Sequence, residues 1–165
     1  YDELQASVAS FAASCANKLR GQHSLASAVT VFVSSNRFRE DFPQYSNGQT
    51  RILPMPTSDT IEITQAALAV LKDIYREGIS YKKTGVILGD ITDASYIQQN
   101  LFDEVQNRPE RMQLMKSIDA LNHRFGLRKI HLAVEGEEKQ AWHAKSEFRS
   151  GNYLSDLKEI LTIRI

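Results

Sequence analysis

The chain predicts an α+β fold in two layers, with helices on one face of an antiparallel or mixed sheet whose first strand is missing or supplied elsewhere. A small α/β extension follows. Three observations carry this reading. Residues 1–93 alternate as helix, strand, strand, helix, strand. The second helix has an apolar stripe broad enough to call for a sheet as its partner. The first strand points Val29, Val31 and Val33 one way and Ala28, Thr30 and Phe32 the other, so both of its faces read as partly covered.

The elements follow in order. From Tyr1 to Gln22, Leu4, Val8, Phe11, Cys15 and Leu19 recur at helical spacing with Ala12 and Ala16 beside them, and Gly21 is the natural stop. Ala26–Ser34 reads as a strand, with Val29, Val31 and Val33 on one side and Ala28, Thr30 and Phe32 on the other. Pro43, Asn47 and Gly48 mark a turn, and Gln49–Leu53 forms a short returning strand that Pro54 and Pro56 end. Asp59 with Glu62 three residues on predicts a capped second helix, with Ile61, Leu68, Leu71 and Tyr75 on its main face and Ile63, Ala67, Val70 and Ile74 widening it. Gly78 closes it. Tyr81–Asp90 is the third strand. Asn107-Arg108-Pro109-Glu110 starts a third helix whose stripe is Met112, Met115, Ile118, Leu121 and Phe125. Arg128–Glu135 alternates as a strand, and a helical turn at Asp156-Leu157-Lys158 precedes an extended end. The organisation is thus a domain over 1–93, a connector over 94–106 and an extension over 107–165.

Composition narrows the function classes. Twenty basic residues balance twenty acidic ones, so no global field calls for nucleic acid or an anionic membrane, and such binding must come from a local patch. The single Cys15 excludes an internal disulfide and a thiolate zinc cluster. No apolar run has spanning length. The chain opens within a helix and without Met, which reads as part of something longer.

Between the third strand and the third helix, the connector holds Leu101-Phe102, a buried-type pair in a segment without helical or strand period. Either the pair plugs a gap between the flanking units, or it is a peptide presented to a partner's apolar pocket, with Gln98 bonding at the pocket rim. A second pattern is basic. Arg37, Arg39, Arg51, Lys82 and Lys83 stand on or at the ends of the proposed strands, with Phe38 interleaved. They are either charged strand ends that discourage edge pairing or a surface that tracks phosphates without reading bases.

Other chemistry lacks local support. His23, His123, His131 and His143 are scattered, and no two share a helix face with a carboxylate at ligand spacing. Gly85 and Gly89 sit in a strand, not in a phosphate loop. Adjacent carboxylates such as Glu40-Asp41 and Glu137-Glu138 diverge in turns. The reading is non-enzymatic, without a metal site.

These pieces together resemble a family. The helix and strand before Asn36-Arg37-Phe38, the run Pro54-Met55-Pro56-Thr57-Ser58-Asp59-Thr60 into a capped helix, Leu71-Lys72-Asp73-Ile74-Tyr75-Arg76-Glu77-Gly78 and Tyr81-Lys82-Lys83-Thr84-Gly85-Val86 look like the little-finger domain of Y-family lesion-bypass DNA polymerases, UmuC type. Ile118-Asp119-Ala120-Leu121-Asn122, Arg124-Phe125-Gly126, Trp142 and Tyr153 are similar to that subfamily's C-terminal extension. Gln98-Gln99-Asn100-Leu101-Phe102 lies where such polymerases carry a sliding-clamp-binding pentapeptide, commonly Gln-Leu-Ser/Asp-Leu-Phe, from which Gln99 and Asn100 depart. The resemblance implies a little-finger-like fold that grips primer-template DNA through Arg37, Arg39, Arg51, Lys82 and Lys83, and a clamp contact through Gln98, Leu101 and Phe102. It implies no cofactor in these residues, because magnesium belongs to the palm domain, which would precede Tyr1. Cleaved UmuD and the RecA filament are the further partners it implies. The competing reading is a protein-interaction domain without DNA binding.

Overall fold

The computed structural model describes residues 1–39, 41–95, 107–126, 128–136 and 150–151. Helix α1 spans Asp2–Gly21, followed by strands β1 (Ser24–Ser35) and β2 (Ser46–Thr57), helix α2 (Thr60–Ile74), strand β3 (Tyr81–Asp93), helix α3 (Arg108–Phe125) and a 3-10 turn at Ala133–Glu135. The three strands form one antiparallel sheet in the order β2-β1-β3.

Alternation along β1 decides the layers. Val29, Val31 and Val33 are fully buried and meet Val8, Ala12, Ala16 and Leu19 of α1 and Ile63, Ala67, Val70, Leu71 and Ile74 of α2. Both helices therefore cover one face, and the intervening β1 side chains point to the other. On α2 the residues read as widening the stripe are its centre, while Ile61 and Leu68 are only half-buried. Asp59 caps α2 as its sequence position demands, its Oδ1 accepting from Ile61 N (2.7 Å) and Glu62 N (3.3 Å). Glu62 does not complete a capping box; Asp59 N donates to Thr57 Oγ1 instead. The helix ends at Ile74, before Gly78.

Three sequence expectations are corrected. Asn47 and Gly48 do not form a turn but are strand residues paired with Val33 and Phe32, since β2 already begins at Ser46. Strand β2 does not stop at Pro54 but runs to Thr57. Its register with β1 slips between Ala26 and Ala28, so Ala28 pairs with Ile52 but Ala26 pairs with Thr57. Pro54 and Pro56 fall in that slip on an edge strand, where their missing N–H groups break no regular ladder. The strand expected over Arg128–Glu135 does not form. Arg128 takes a left-handed conformation (φ 62°), and the Asn122 side chain occupies both backbone groups of Ile130, accepting from its N and donating to its O at 2.8 Å each. With those groups taken, no sheet partner is needed. Ala133–Glu135 turns as a 3-10 segment instead.

Candidate nucleic-acid interface

The sheet face away from the helices is assembled from cross-strand rows. Across β2, β1 and β3 these are Ile52–Ala28–Gly89, Thr50–Thr30–Ile87, Gly48–Phe32–Gly85 and Ser46–Ser34–Lys83. Ile52 is 65% exposed and Ile87 55%, so no other element of the described chain covers this face. The Thr30 and Thr50 hydroxyls meet at 2.7 Å. The Phe32 ring lies over Gly85, where an added Cβ would stand 2.5 Å from its Cζ, so the glycine makes room for the ring. The centre of the face is thus apolar and hydroxylated, and its cationic character is confined to one end.

That end holds Lys83, in register with Ser34. Lys82 occupies the irregularity between the Ser34–Lys83 and Ser35–Tyr81 pairs. Both lysines line an open groove of about 620 Å³ with Phe32, Tyr75 and Tyr81. Arg37 is exposed in the turn after β1 and borders a smaller cleft of about 240 Å³ with Ser34, Gln44, Tyr45 and Ser46. Arg39 is engaged locally. Its Nε and Nη2 take both oxygens of Asp41 (3.1 and 2.5 Å), and its guanidinium sits 4.3 Å from the Phe42 ring centre. That side-chain hydrogen bonding holds the Asp41 carboxyl below the usual carboxylate range. Arg51 pairs with Val29, whose side chain is buried under the helices, so Arg51 leaves edge strand β2 on the helix side. Of the five expected cations, Lys83 stands on the open face, Lys82 and Arg37 flank its end, and Arg39 and Arg51 do not join them. Gln98, Leu101 and Phe102 lie outside the described residues. The connector leaves β3 through a turn in which Ala94 N donates to His23 O (2.9 Å) and Asp93 accepts from Ser95.

A cluster that sequence reading missed joins α3 to the helix layer. Arg20 forks onto Asp119, Nε to Oδ2 at 2.6 Å and Nη2 to Oδ1 at 2.8 Å, while its Nη1 donates to Ser58 O and Thr60 Oγ1. Asn17 also donates to Asp119 (2.9 Å). Arg111 Nε meets Asp59 Oδ2 at 2.8 Å, and Arg108 meets Glu62 at 3.2 Å. The available signal was spacing: Arg108, Arg111, Met115 and Asp119 share one helical face, so charges stood on the side read as an apolar stripe.

Burial pushes the Glu62 carboxyl up from 4.5, against the lowering pull of Arg108 and Arg111. A folded-state pKa above the unfolded one means the ionised form is disfavoured by folding. The Glu62 charge therefore works against stability above that pKa, and the penalty is relieved as pH falls through it. Glu62→Gln is expected to remove this part of the pH dependence in denaturant titrations without lowering stability at neutral pH.

Comparison with known proteins places this architecture. The family model described as "impB/mucB/samB family C-terminal domain" matches residues 1–101. The chain belongs to the impB/mucB/samB family. Relatives include Protein UmuC of Salmonella typhimurium strain LT2, 35% identical across 99% of this chain and 39% of the relative. Protein ImpB of Salmonella typhimurium is 37% identical over 99% and 38%, and Protein MucB of Escherichia coli 31% over 96% and 37%. The chain thus spans about two fifths of the length of these curated relatives. A second model, a domain of unknown function (DUF4113), matches residues 112–163.

The UmuC-type resemblance read from the sequence is borne out by these matches. Within the impB/mucB/samB C-terminal match lie the whole sheet, α1, α2, Gln98 and Leu101, while Phe102 falls just beyond it. The ionic joint spans both matches, with Arg20, Asp59 and Glu62 in the first and Asp119 in the second. Among the described residues no group of three or more His, Cys, Asp or Glu gathers to hold a metal, and no helix is long and apolar enough to cross a membrane.

Proposed function

We propose that this chain is the non-catalytic C-terminal part of an error-prone lesion-bypass DNA polymerase of SOS repair, in which it grips primer-template DNA by its backbone and binds the replicative sliding clamp. The observation that carries the reading is the UmuC-type match over nearly the whole chain. The cationic end of the open sheet supports the backbone grip, because Lys83, Lys82 and Arg37 stand at one edge of a face with no cover among the described residues. Such a surface positions a duplex through phosphates and carries no sequence code. Nucleotidyl transfer and its magnesium are assigned to a palm domain preceding Tyr1 in the parent protein. Cleaved UmuD and the RecA filament are further partners, and the setting is the bacterial cytoplasm.

The clamp contact is assigned to Gln98, Leu101 and Phe102. Burying two such apolar side chains contributes about 1.5–3 kcal/mol each, and ordering the peptide offsets much of it. The peptide alone therefore binds at about micromolar strength or weaker, and tethering through DNA raises its effective concentration. The test measures the chain against clamp and against primer-template DNA. The Leu101→Ala, Phe102→Ala double variant is expected to lose clamp affinity at least about tenfold, equivalent to about 1.4 kcal/mol, with DNA affinity unchanged. Equal clamp affinity in the variant removes the peptide from the account.

One observation favours a second reading. The sheet centre is apolar at Ile52, Ile87 and Phe32, which suits a protein surface better than a phosphate backbone. Binding to primer-template DNA that weakens steeply with added salt selects the DNA reading, and no salt-dependent DNA binding selects the protein-interaction reading.

A further inference from the structure

The docking face of α3 is built unlike those of α1 and α2. The first two helices bury runs such as Val8, Ala12 and Ala16 or Ile63, Leu71 and Ile74, whereas Met115 is the one buried residue of α3. Leu114 and Phe125 of α3 remain 48% and 58% exposed. The contact is carried instead by Arg108–Glu62, Arg111–Asp59 and Asp119–Arg20. The two faces are complementary in sign, acidic at the start of α2 and basic at the end of α1, against two arginines and then an aspartate along α3.

The socket does not depend on what fills it. Asp59 uses Oδ1 for the α2 cap and leaves Oδ2 to Arg111. Arg20 keeps Nη1 on Ser58 O (2.6 Å) and Thr60 Oγ1 (2.9 Å), leaving Nε and Nη2 to Asp119. Asp59 and Arg20 are thus oriented by the helix layer itself. The docked state is also incompletely satisfied, because Arg111 Nη2 is buried without a hydrogen-bond partner. Partly buried ion pairs such as these are screened less than surface pairs and weaken only at high salt, and a polar interface with so little apolar burial is one across which units move.

We propose that α3 is a reversible ionic latch, a helix that leaves the helix layer as a unit, with the helix–sheet sandwich still folded and the socket intact, and returns to the same register. The open sheet face is on the other side of the sandwich from α1 and α2, so the docked α3 leaves it uncovered.

The test is a distance measurement by pulsed electron resonance on the full chain, with spin labels at Lys72→Cys on α2 and Gln113→Cys on α3 in a Cys15→Ala background. At low salt one short distance is expected. In Arg108→Glu, or in the parent sequence at about 1 M salt, a second population should appear, longer by roughly a helix diameter, about 10 Å. Amide-exchange protection of β1 and β3 should stay unchanged, and adding Glu62→Arg to Arg108→Glu should restore the short distance. A distance insensitive to both salt and Arg108→Glu overturns the proposal. So does loss of β1 and β3 protection together with the shift, because α3 would then be an integral part of the core. Salt titration of the parent sequence gives the answer even if a charge-reversed variant does not fold.

Discussion

Asp59→Ala is expected to lower the unfolding free energy by about 2–4 kcal/mol, combining a lost helix cap with a lost charged partner. The carboxylate serves two masters. Oδ1 accepts the α2 backbone at Ile61 and Glu62, and Oδ2 accepts Arg111, with the residue only 8% exposed. For a chain of this size the loss corresponds to a melting shift of about 5–15 °C. Asp59→Asn keeps an oxygen for the cap and gives up the charge, so it should show only part of the loss. Arg111→Met should cost less than Asp59→Ala, because it also removes a guanidinium nitrogen buried without a partner. A double-mutant cycle between Asp59→Ala and Arg111→Met isolates the pair from the cap. Equal stability of Asp59→Ala and the parent would show that the cap and the ion pair contribute nothing.

The Lys82→Glu, Lys83→Glu variant is expected to bind primer-template DNA about 100-fold more weakly near physiological salt, through loss of two phosphate contacts and gain of two repulsive charges. Each lost contact should also reduce the slope of log affinity against log salt by about 0.9. Arg39→Ala is the internal control, since Asp41 already takes its guanidinium. Its effect should be small. If the two lysines change neither affinity nor slope while the parent chain binds in a salt-dependent way, the cationic end of the sheet is not the contact.

The helix–sheet sandwich was legible because its signals are local. Val29, Val31 and Val33 alternate strictly against Phe32, and Asp59 stands directly before the apolar run of α2, so period and N-cap fix two elements unaided, while the Glu62 half of the expected capping box does not form. The extent of β2 was not legible, since Pro54 and Pro56 stop a regular strand but not one whose register slips. The non-strand at Arg128–Glu135 was equally hidden, because it depends on an Asn122 side chain folding back from the preceding helix. At the candidate interface, residue type was readable and direction was not. Arg51 and Lys83 look alike in sequence, yet pairing with Val29 sends one to the helix side and pairing with Ser34 sends the other to the open face. The ionic joint escaped for the opposite reason. Each of its charges is ordinary on a surface helix, and only tertiary contact gives it a partner.

Strand β1 forms both ladders, and its second one joins Ser35 to Tyr81 and Ser24 to Asp93 across the whole of β2 and α2. Closing that loop is an entropic barrier that local contacts cannot lower. The nascent hairpin of β1 and β2 is too small to be stable alone. Assembly on the ribosome must therefore wait until β3 has emerged, and refolding should run on the millisecond-to-second scale of topologies dominated by distant pairings.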